Sequence, residues 1–210
     1  MIQVLLVDDH VLVRKGLKQI IEESETTIVS GEAGNAAEAL HKINTHHYDM
    51  VLMDISLPGR NGIDAVKSIK KTKPELPILM LSMYPEEQYA IRALQAGASG
   101  YLTKDSAPDK LMHAIELVNS GRKYISADLA EEMASYLNKN THAPLHKNLS
   151  DREYEIMLLL AKGKKPSAIA KELSLSIKTV STYKSRILNK LHLKTDADLA
   201  LYVHEQKLTM

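Results

Sequence analysis

The sequence contains no cysteine, no phenylalanine and no tryptophan among its 210 residues. Without cysteine, the chain can form no disulfide bond, no thiolate nucleophile and no cysteine-based zinc site. Without phenylalanine and tryptophan, any hydrophobic core must be built from Leu, Ile, Val, Met and Tyr side chains. Hydrophobic residues still make up 44% of the chain, which is enough for such cores. At about 100–200 residues per domain, the length allows one large domain or two small ones.

Long apolar runs are also missing. No stretch approaches the ~18 apolar residues that a membrane span needs. The first apolar run, Val4 to Val7, stops at Asp8 and Asp9, and two carboxylates at this place are incompatible with a signal peptide. We therefore expect no association with a membrane. The lack of cysteine suits a cytoplasmic location.

Charge is unevenly distributed, although the formal net charge is only +1. Residues 1–146 hold 15 Lys and Arg against 19 Asp and Glu, a difference of −4. Residues 147–210 hold 12 against 7, or +5, and the narrower stretch 147–194 holds 11 against 4, or +7. An acidic first part and a basic second part indicate two modules with different partners. A basic patch suits nucleic acid, but solvated helix faces are often basic too, so charge alone leaves both interpretations open.

The first part of the chain alternates short apolar runs with amphipathic segments. Such alternation predicts right-handed βαβ units and a parallel sheet. Five strands and five helices within ~120 residues fit a flavodoxin-like, doubly wound α/β fold. The predicted strands lie at Val4–Val7, Thr27–Val29, Met50–Met53, Ile78–Leu81 and Gly100–Leu102, and the predicted helices lie near 11–23, 36–46, 63–72, 86–96 and 107–119.

The second part contains only helical patterns. Ser150, followed three residues later by Glu153, forms a capping box at the start of one helix. Pro166 stands where a second helix begins. A longer helix is predicted over Ile177–Leu191, and a last one near 195–206.

A polar, aperiodic segment separates the two parts. Gly121 ends the last helix of the first part, and an amphipathic stretch near 127–138 precedes the polar segment. We predict a first domain over 1–121, a partly helical linker over 122–147, and a C-terminal all-α, four-helix domain over 148–210.

Charged and polar residues stand where the predicted strands end. Asp8 and Asp9 follow the first strand, Asp54 ends the third, Ser82 ends the fourth, and Lys104 follows the fifth. In an open parallel sheet, ligands bind beyond the carboxyl ends of the strands. Clustered carboxylates need a neutralising partner, and their oxygens suit Mg²⁺. A carboxylate held by a metal and a lysine can attack phosphorus. Any one of these aspartates fits a turn or a helix N-cap equally well, but the set favours a site.

On these residues, the chain resembles the receiver domains of bacterial two-component response regulators. The resemblance covers residues 4–120 and is specific, because the spacing is kept throughout. It is carried by Asp8-Asp9-His10, Met53-Asp54-Ile-Ser-Leu-Pro58, Gly62, Leu81-Ser82, Gly97-Ala98, Gly100-Tyr101 and Lys104.

The resemblance implies a role for each residue of the acidic cluster. Asp54 would be the phospho-acceptor. Asp9, Asp54 and the backbone carbonyl of Ser56 would ligate Mg²⁺, and Asp8 would act through metal-bound water.

Three further residues would stabilise the phosphoryl group and respond to it. Ser82 would hydrogen-bond a phosphoryl oxygen, Lys104 would pair with it, and Tyr101 would be the aromatic switch. Tyr101 also fits a purely structural role, since aromatic residues are common in strands. Lys104 is followed by Asp105 rather than by the more frequent proline, as in the NarL/FixJ subgroup. His10 is interpreted as a surface or loop histidine, because no metal-ligand spacing supports it.

The predicted helix Ile177–Leu191 is amphipathic. Its apolar face contains Val180, Ile187 and Leu191, with Tyr183 at the edge. At 100° per residue, the opposite arc holds Lys178, Ser181, Thr182, Ser185 and Asn189. Such an arc fits the major groove of DNA, but an ordinary solvated helix shows the same pattern.

The wider segment, about 149–206, resembles the LuxR-type helix-turn-helix of the NarL/FixJ subgroup. The resemblance is carried by Leu149–Glu153, Gly163, Ile169-Ala170, Leu173, Ser176, Thr179-Val180 and Lys190-Leu191. It implies base contacts from Ser181, Thr182 and Ser185. It implies phosphate contacts from Lys178, Thr179, Tyr183 and Lys194. Many members differ at the reading positions, so the resemblance does not imply a target sequence.

Together these features predict a response regulator transcription factor. A partner histidine kinase would phosphorylate Asp54 with Mg²⁺ present, and phosphorylation would promote a homodimer that binds a two-part promoter site and works with RNA polymerase. The chain would not be an enzyme beyond self-catalysed transfer onto Asp54 and slow self-dephosphorylation. Two alternatives stay open: a phosphatase or phosphotransferase that uses Asp54 as its nucleophile, and a DNA-binding or interaction protein with a vestigial pocket.

Overall fold

The computed structural model describes residues 1–126, 129–131 and 144–208. These residues form two compact units, one before residue 132 and one after residue 143. Most of the amphipathic stretch expected near 127–138 therefore lies outside the described residues. The boundaries given above for the two domains and the linker stay predictions.

The first unit contains the alternating strands and helices that the sequence predicts. None of the described helices, here or in the second unit, combines the length and the apolar character needed to cross a lipid bilayer. The strands are β1 (Ile2–Val7), β2 (Thr27–Ala33), β3 (Met50–Asp54), β4 (Ile78–Ser82) and β5 (Gly100–Thr103), and the helices are α1 (Val11–Glu22), α2 (Ala36–Thr45), α3 (Gly62–Thr72), α4 (Glu86–Gln95) and α5 (Ala107–Asn119).

All five strands pair in parallel, in the order β2-β1-β3-β4-β5. This confirms the flavodoxin-like fold class. Strand β2 extends to Ala33, four residues beyond the predicted Val29. The added residues are polar or small because β2 is an edge strand, and a register shift between Val4 and Leu5 carries its pairing past Ser30. A hydrophobic pattern stops there, although the backbone pairing continues.

The central strands are buried on both faces, as expected of a parallel sheet. Every residue of β3 and β4 is buried. On one face, β1 and β3 pack against α1 and α5 through Leu6, Leu17, Leu52 and Ile115. Burial on both faces explains why the sequences of these strands are continuous apolar runs, which end abruptly at Asp54 and Ser82.

After α5, the chain returns to the sheet and pairs with the edge strand β5. Tyr124 forms a parallel bridge with Gly100, and its carbonyl accepts a hydrogen bond from the Tyr101 N–H at 3.1 Å. Its own N–H donates to the Ser99 carbonyl at 3.0 Å. A little further along, the Ser126 hydroxyl hydrogen-bonds the Glu86 carboxylate at the start of α4. We call residues 122–126 the exit segment.

The described part of the second unit contains four α-helices. Two of them begin with capping boxes: Ser150 with Glu153, as predicted, and Thr195 with Asp198. The third helix coincides with the predicted Ile177–Leu191. The helices are α6 (Asp151–Ala161), α7 (Pro166–Glu172), α8 (Ile177–Leu191) and α9 (Asp196–Glu205).

A buried ion pair lies within α6, and its arginine also links α6 to the end of α7. The Arg152 guanidinium lies 2.6 Å from the Glu155 carboxylate, and both side chains are almost fully buried. Arg152 also donates a hydrogen bond of 3.1 Å to the Leu173 carbonyl, just after α7. The pair therefore fixes the end of α7, and with it the turn into α8, against α6.

Candidate functional site

The strand order creates the first candidate site. It reverses between β1 and β3, and this switch point is where open α/β sheets bind ligands. Asp8 directly follows β1, and Asp54 ends β3. Both side chains are buried, so the fold holds two carboxylates side by side away from water.

Lys104 joins these two carboxylates. Its Nζ lies 2.6 Å from Asp8 Oδ2 and 2.9 Å from Asp54 Oδ2. Burial works against the positive charge of Lys104, but Asp54 and Asp8 more than offset it, and the pKa of Lys104 is raised. The lysine is therefore a fixed cation at the centre of the pocket.

Asp54 titrates unusually for a carboxyl group. Burial raises its pKa to about 6, an effect that Lys104 opposes and the neighbouring Asp8 reinforces. The backbone N–H of Ser56 donates a hydrogen bond to the carboxylate and favours the ionised form. A buried carboxylate with few fixed partners can act as a nucleophile once a cation neutralises its surroundings.

The pocket contains donors for a divalent cation. One ligand atom each from Asp8, Asp9, His10 and Asp54 lies within 4.8 Å of the others. The three carboxylates against the single Lys104 ammonium leave an excess of two negative charges. Oxygen donors with this charge fit Mg²⁺.

His10 belongs to this pocket, which sequence reasoning missed. The side chain is exposed, as expected of a surface histidine, but its Nδ1 lies 2.7 Å from Asp9 Oδ1. Its backbone N–H donates to Asp8 Oδ1 at 2.8 Å. The only sequence signal was its position directly after the acidic pair.

Gly62 allows the helix after β3 to approach the pocket. A Cβ atom at this position would lie 1.9 Å from the backbone oxygen of Asp54. The Gly62 N–H also donates a hydrogen bond of 2.8 Å to the Ile55 carbonyl, which holds the start of α3 close to the end of β3. Any side chain here would displace the strand end that carries Asp54.

Ser82 and Tyr101 are linked through one loop. The Tyr84 N–H donates to Ser82 Oγ at 2.9 Å, and the Tyr101 hydroxyl donates to the Tyr84 carbonyl at 2.9 Å. Ser82 and Tyr101 are both fully buried. A change in the position of Ser82 would therefore be transmitted through Tyr84 to Tyr101.

The second candidate site is the outer face of α8. Val180, Ile187 and Leu191 are buried, as predicted for the apolar face. Four of the predicted DNA contacts, Lys178, Ser181, Thr182 and Ser185, lie exposed on the opposite side, and two others, Thr179 and Tyr183, are half-buried.

Only some of the predicted contacts share one surface. A concavity of about 340 Å³ brings together Lys178, Thr179, Thr182 and Tyr183. It is also lined by Ser176 and by Arg186, a residue that the sequence interpretation omitted. The other predicted contacts lie elsewhere: Ser181 and Ser185 outside this concavity, and Lys194 in the turn between α8 and α9.

Comparison with known families matches both units. Residues 4–116 match the response regulator receiver domain, and residues 147–203 match the bacterial regulatory proteins of the luxR family. The first match alone spans more than half of the chain.

Similar proteins extend over nearly the whole length. The chain is 41% identical to the response regulator UvrY of Escherichia coli K12 over 201 residues, which are 95% of this chain and 92% of UvrY. It is 36% identical to the response regulator GacA of Pseudomonas aeruginosa over 203 residues, which are 96% and 94% of the two chains. A solved structure of RcsB from Salmonella enterica serovar Typhimurium, bound to the promoter rprA with the phosphomimetic BeF3−, superposes with a TM-score of 0.65 at 28% identity. That superposition covers 97% of this chain and 99% of RcsB.

Proposed function

The chain belongs to the response regulators that join a receiver domain to a LuxR-type DNA-binding domain, and it is a transcription factor; on this premise we propose that phosphorylation of Asp54 controls its binding to DNA. The observation that best supports the proposal is the buried pocket in which Lys104 lies 2.9 Å from Asp54 and 2.6 Å from Asp8. An intact pocket of this kind argues against a vestigial receiver.

The pocket residues divide the chemistry between them. An Asp54 oxygen attacks the phosphorus of a partner kinase's phosphohistidine, forming an O–P bond as the P–N bond breaks, and the electron pair stays with the imidazole. Lys104 and the Ser82 hydroxyl stabilise the charge on the transferring oxygens. Asp8, Asp9, Asp54 and the Ser56 carbonyl would hold Mg²⁺, which supplies further neutralisation of that charge. Water then removes the phosphoryl group slowly, with no added substrate turned over.

Phosphorylation reaches the rest of the receiver through Ser82. A hydrogen bond from the Ser82 hydroxyl to a phosphoryl oxygen would draw the loop that carries Tyr84 toward Asp54. The Tyr101 hydroxyl, which donates to the Tyr84 carbonyl, follows that loop. Two arrangements of Tyr101 would then give the receiver a resting and an active state.

The active state binds DNA as a homodimer. A two-fold pair of α8 helices matches a two-part site in successive major grooves. The promoter-bound RcsB structure, which carries a phosphomimetic, supports double-stranded promoter DNA as the ligand. A protein that acts on a promoter works in the cytoplasm, together with the chromosome and RNA polymerase. Its signal comes from a sensor histidine kinase.

Selection of DNA from a random pool, with and without acetyl phosphate and Mg²⁺, tests this function. We expect a two-part sequence to be enriched, with tighter binding after phosphorylation, and sedimentation to show a shift from monomer to dimer. A pool that stays random under both conditions, together with an unchanged monomer, would contradict the proposal.

Two substitutions should separate phosphate contacts from base contacts. Lys194→Ala should weaken binding to all sequences and flatten the dependence of log affinity on log salt by about one unit per subunit, since one fewer phosphate is neutralised. Thr182→Ala should relax preference at one position per half-site, at a cost of ~1 kcal/mol, because a single hydroxyl makes no bidentate contact.

Salt titrations of both variants on the selected site and on random DNA measure the difference. Ser181→Ala should behave as Thr182→Ala does. If Ser181, Thr182 and Ser185 can all be replaced with Ala without changing the selected sequence, these residues do not read bases.

A further inference from the structure

We propose that Arg186 reads a guanine in each half-site, as the main base-specifying residue of α8. The inference rests on the proposed DNA binding and goes beyond it, because Arg186 is not among the contacts that the family resemblance supplies. It follows from the direction, the pairing and the chemistry of this side chain.

Arg186 points outward. The buried face of α8 is centred on Val180, Ile187 and Leu191. At 100° per residue, Arg186 lies roughly 60° from the centre of the opposite face, whereas Ser181 lies roughly 80° from it. The arginine is thus closer to the centre of the outward face than one of the predicted base contacts.

The Arg186 guanidinium is also available for an external ligand. Two other cations on α8 are paired with carboxylates within the unit: Lys184 lies 2.6 Å from Asp196, and Lys190 lies 2.6 Å from Glu153. Among the residues that the structure describes, Arg186 is exposed and makes no ion pair or hydrogen bond. The basic excess of the segment therefore overstates the cations available to DNA, and Arg186 is one that remains.

The hydroxyl groups on the outer face of α8 are weaker base-reading donors than the Arg186 guanidinium. Ser181, Thr182 and Ser185 each donate to the backbone carbonyl four residues earlier, at 3.0, 2.9 and 3.1 Å. Their donors are therefore engaged by the helix itself. A guanidinium offers two parallel N–H donors, which match guanine O6 and N7 and make the commonest specific contact in the major groove.

The Arg186 side chain is also expected to point toward the N-terminal end of α8, the end that faces the bases. Side chains on a helix point toward its N-terminus, and the N-terminal part of a recognition helix faces the base edges. Arg186 accordingly shares one concavity with Ser176, Lys178 and Thr182, which lie one to three turns before it. None of the described residues that line this concavity is a carboxylate, so none of them repels the electronegative groove edge.

The test is DNA selection from a random pool with the phosphorylated full-length protein, followed by affinity measurements on the selected site and on single-base variants. Three variants are compared with the wild type. Arg186→Ala removes the side chain, Arg186→Lys keeps the charge but loses the fork, and Lys184→Ala removes a charge that points away from the outer face. Circular dichroism checks that the substitutions leave the helices intact.

We expect the wild type to require guanine at one position per half-site. Arg186→Ala should reduce that preference by about 5- to 150-fold. Arg186→Lys should also lose most of the preference while keeping most of its affinity for random DNA. Lys184→Ala should leave the selected sequence unchanged.

Two results would overturn the inference while leaving DNA binding intact. If Arg186→Ala weakens binding to every sequence equally, the residue contacts a phosphate. If it changes nothing, the side chain is only solvated. A wild-type protein that enriches no sequence would instead refute the proposed function, and the inference with it.

Discussion

Replacing Asp54 with Asn should abolish covalent phosphorylation of the protein. The wild type, incubated with acetyl phosphate and Mg²⁺, should gain a single phosphoryl group in an intact-mass measurement, and the variant should gain none. The amide has nearly the same shape as the carboxylate, so it preserves the packing of a residue that is 2% exposed. It lacks the anionic oxygen that attacks phosphorus.

A matched control is Asp109→Asn, an exposed aspartate in the first turn of α5. It should label as fully as the wild type. Asp8 is the other buried carboxylate at Lys104, so peptide-level mass spectrometry should place the group on the peptide that contains Asp54. Undiminished labelling of Asp54→Asn would refute the assignment.

Replacing Arg152 with Met should strongly destabilise the DNA-binding unit. The substitution removes the guanidinium that lies 2.6 Å from the fully buried Glu155 carboxylate, and with it the positive charge that balances this carboxylate. Breaking a buried ion pair from one side costs about 3–5 kcal/mol. The free energy of unfolding of a small domain is about 5–15 kcal/mol, so the substitution would remove a large part of that stability.

Hydrogen-exchange mass spectrometry on the full chain measures this loss in each unit separately. Protection of α6 and α7 should fall, while that of the sheet strands stays unchanged. The informative control is the double variant Arg152→Met/Glu155→Met, which replaces the pair with apolar groups of similar size. It should recover most of the stability, since apolar replacements of buried pairs are often neutral or better. If the double variant is no more stable than Arg152→Met, the stranded charge is not the cause.

The fold could be predicted because the hydrophobic pattern of the sequence matches the burial of the residues along most of the chain. Strands buried on both faces appear as apolar runs, and their ends at Asp54 and Ser82 could be placed to within one residue. Edge strand β2 was predicted too short because Ser30, Gly31 and Glu32 need no apolar face to keep pairing. The capping box of Ser150 was predictable because all of its atoms lie within one turn.

The site was predictable where a strand end places a residue, and not where contacts join distant segments. Asp8, Asp54 and Lys104 meet because parallel strands end at one edge. The position of His10 against Asp9, by contrast, depends on the rotation of the turn after β1. Likewise, the pairing of Lys184 and Lys190 with carboxylates depends on α6 and α9, so counting charges on α8 could not separate them from Arg186.

The exit segment affects how the receiver can be isolated for study. A fragment cut at Gly121, where the sequence predicts the end of the first domain, would remove Tyr124 from the edge of β5. The N–H of Tyr101 and the carbonyl of Ser99 would then be open to another chain, as at any bare sheet edge. Self-association of such a fragment would be an artefact of the cut, not a response to phosphorylation. A fragment that continues past residue 131 retains the pairing and provides the sounder reference for the isolated receiver.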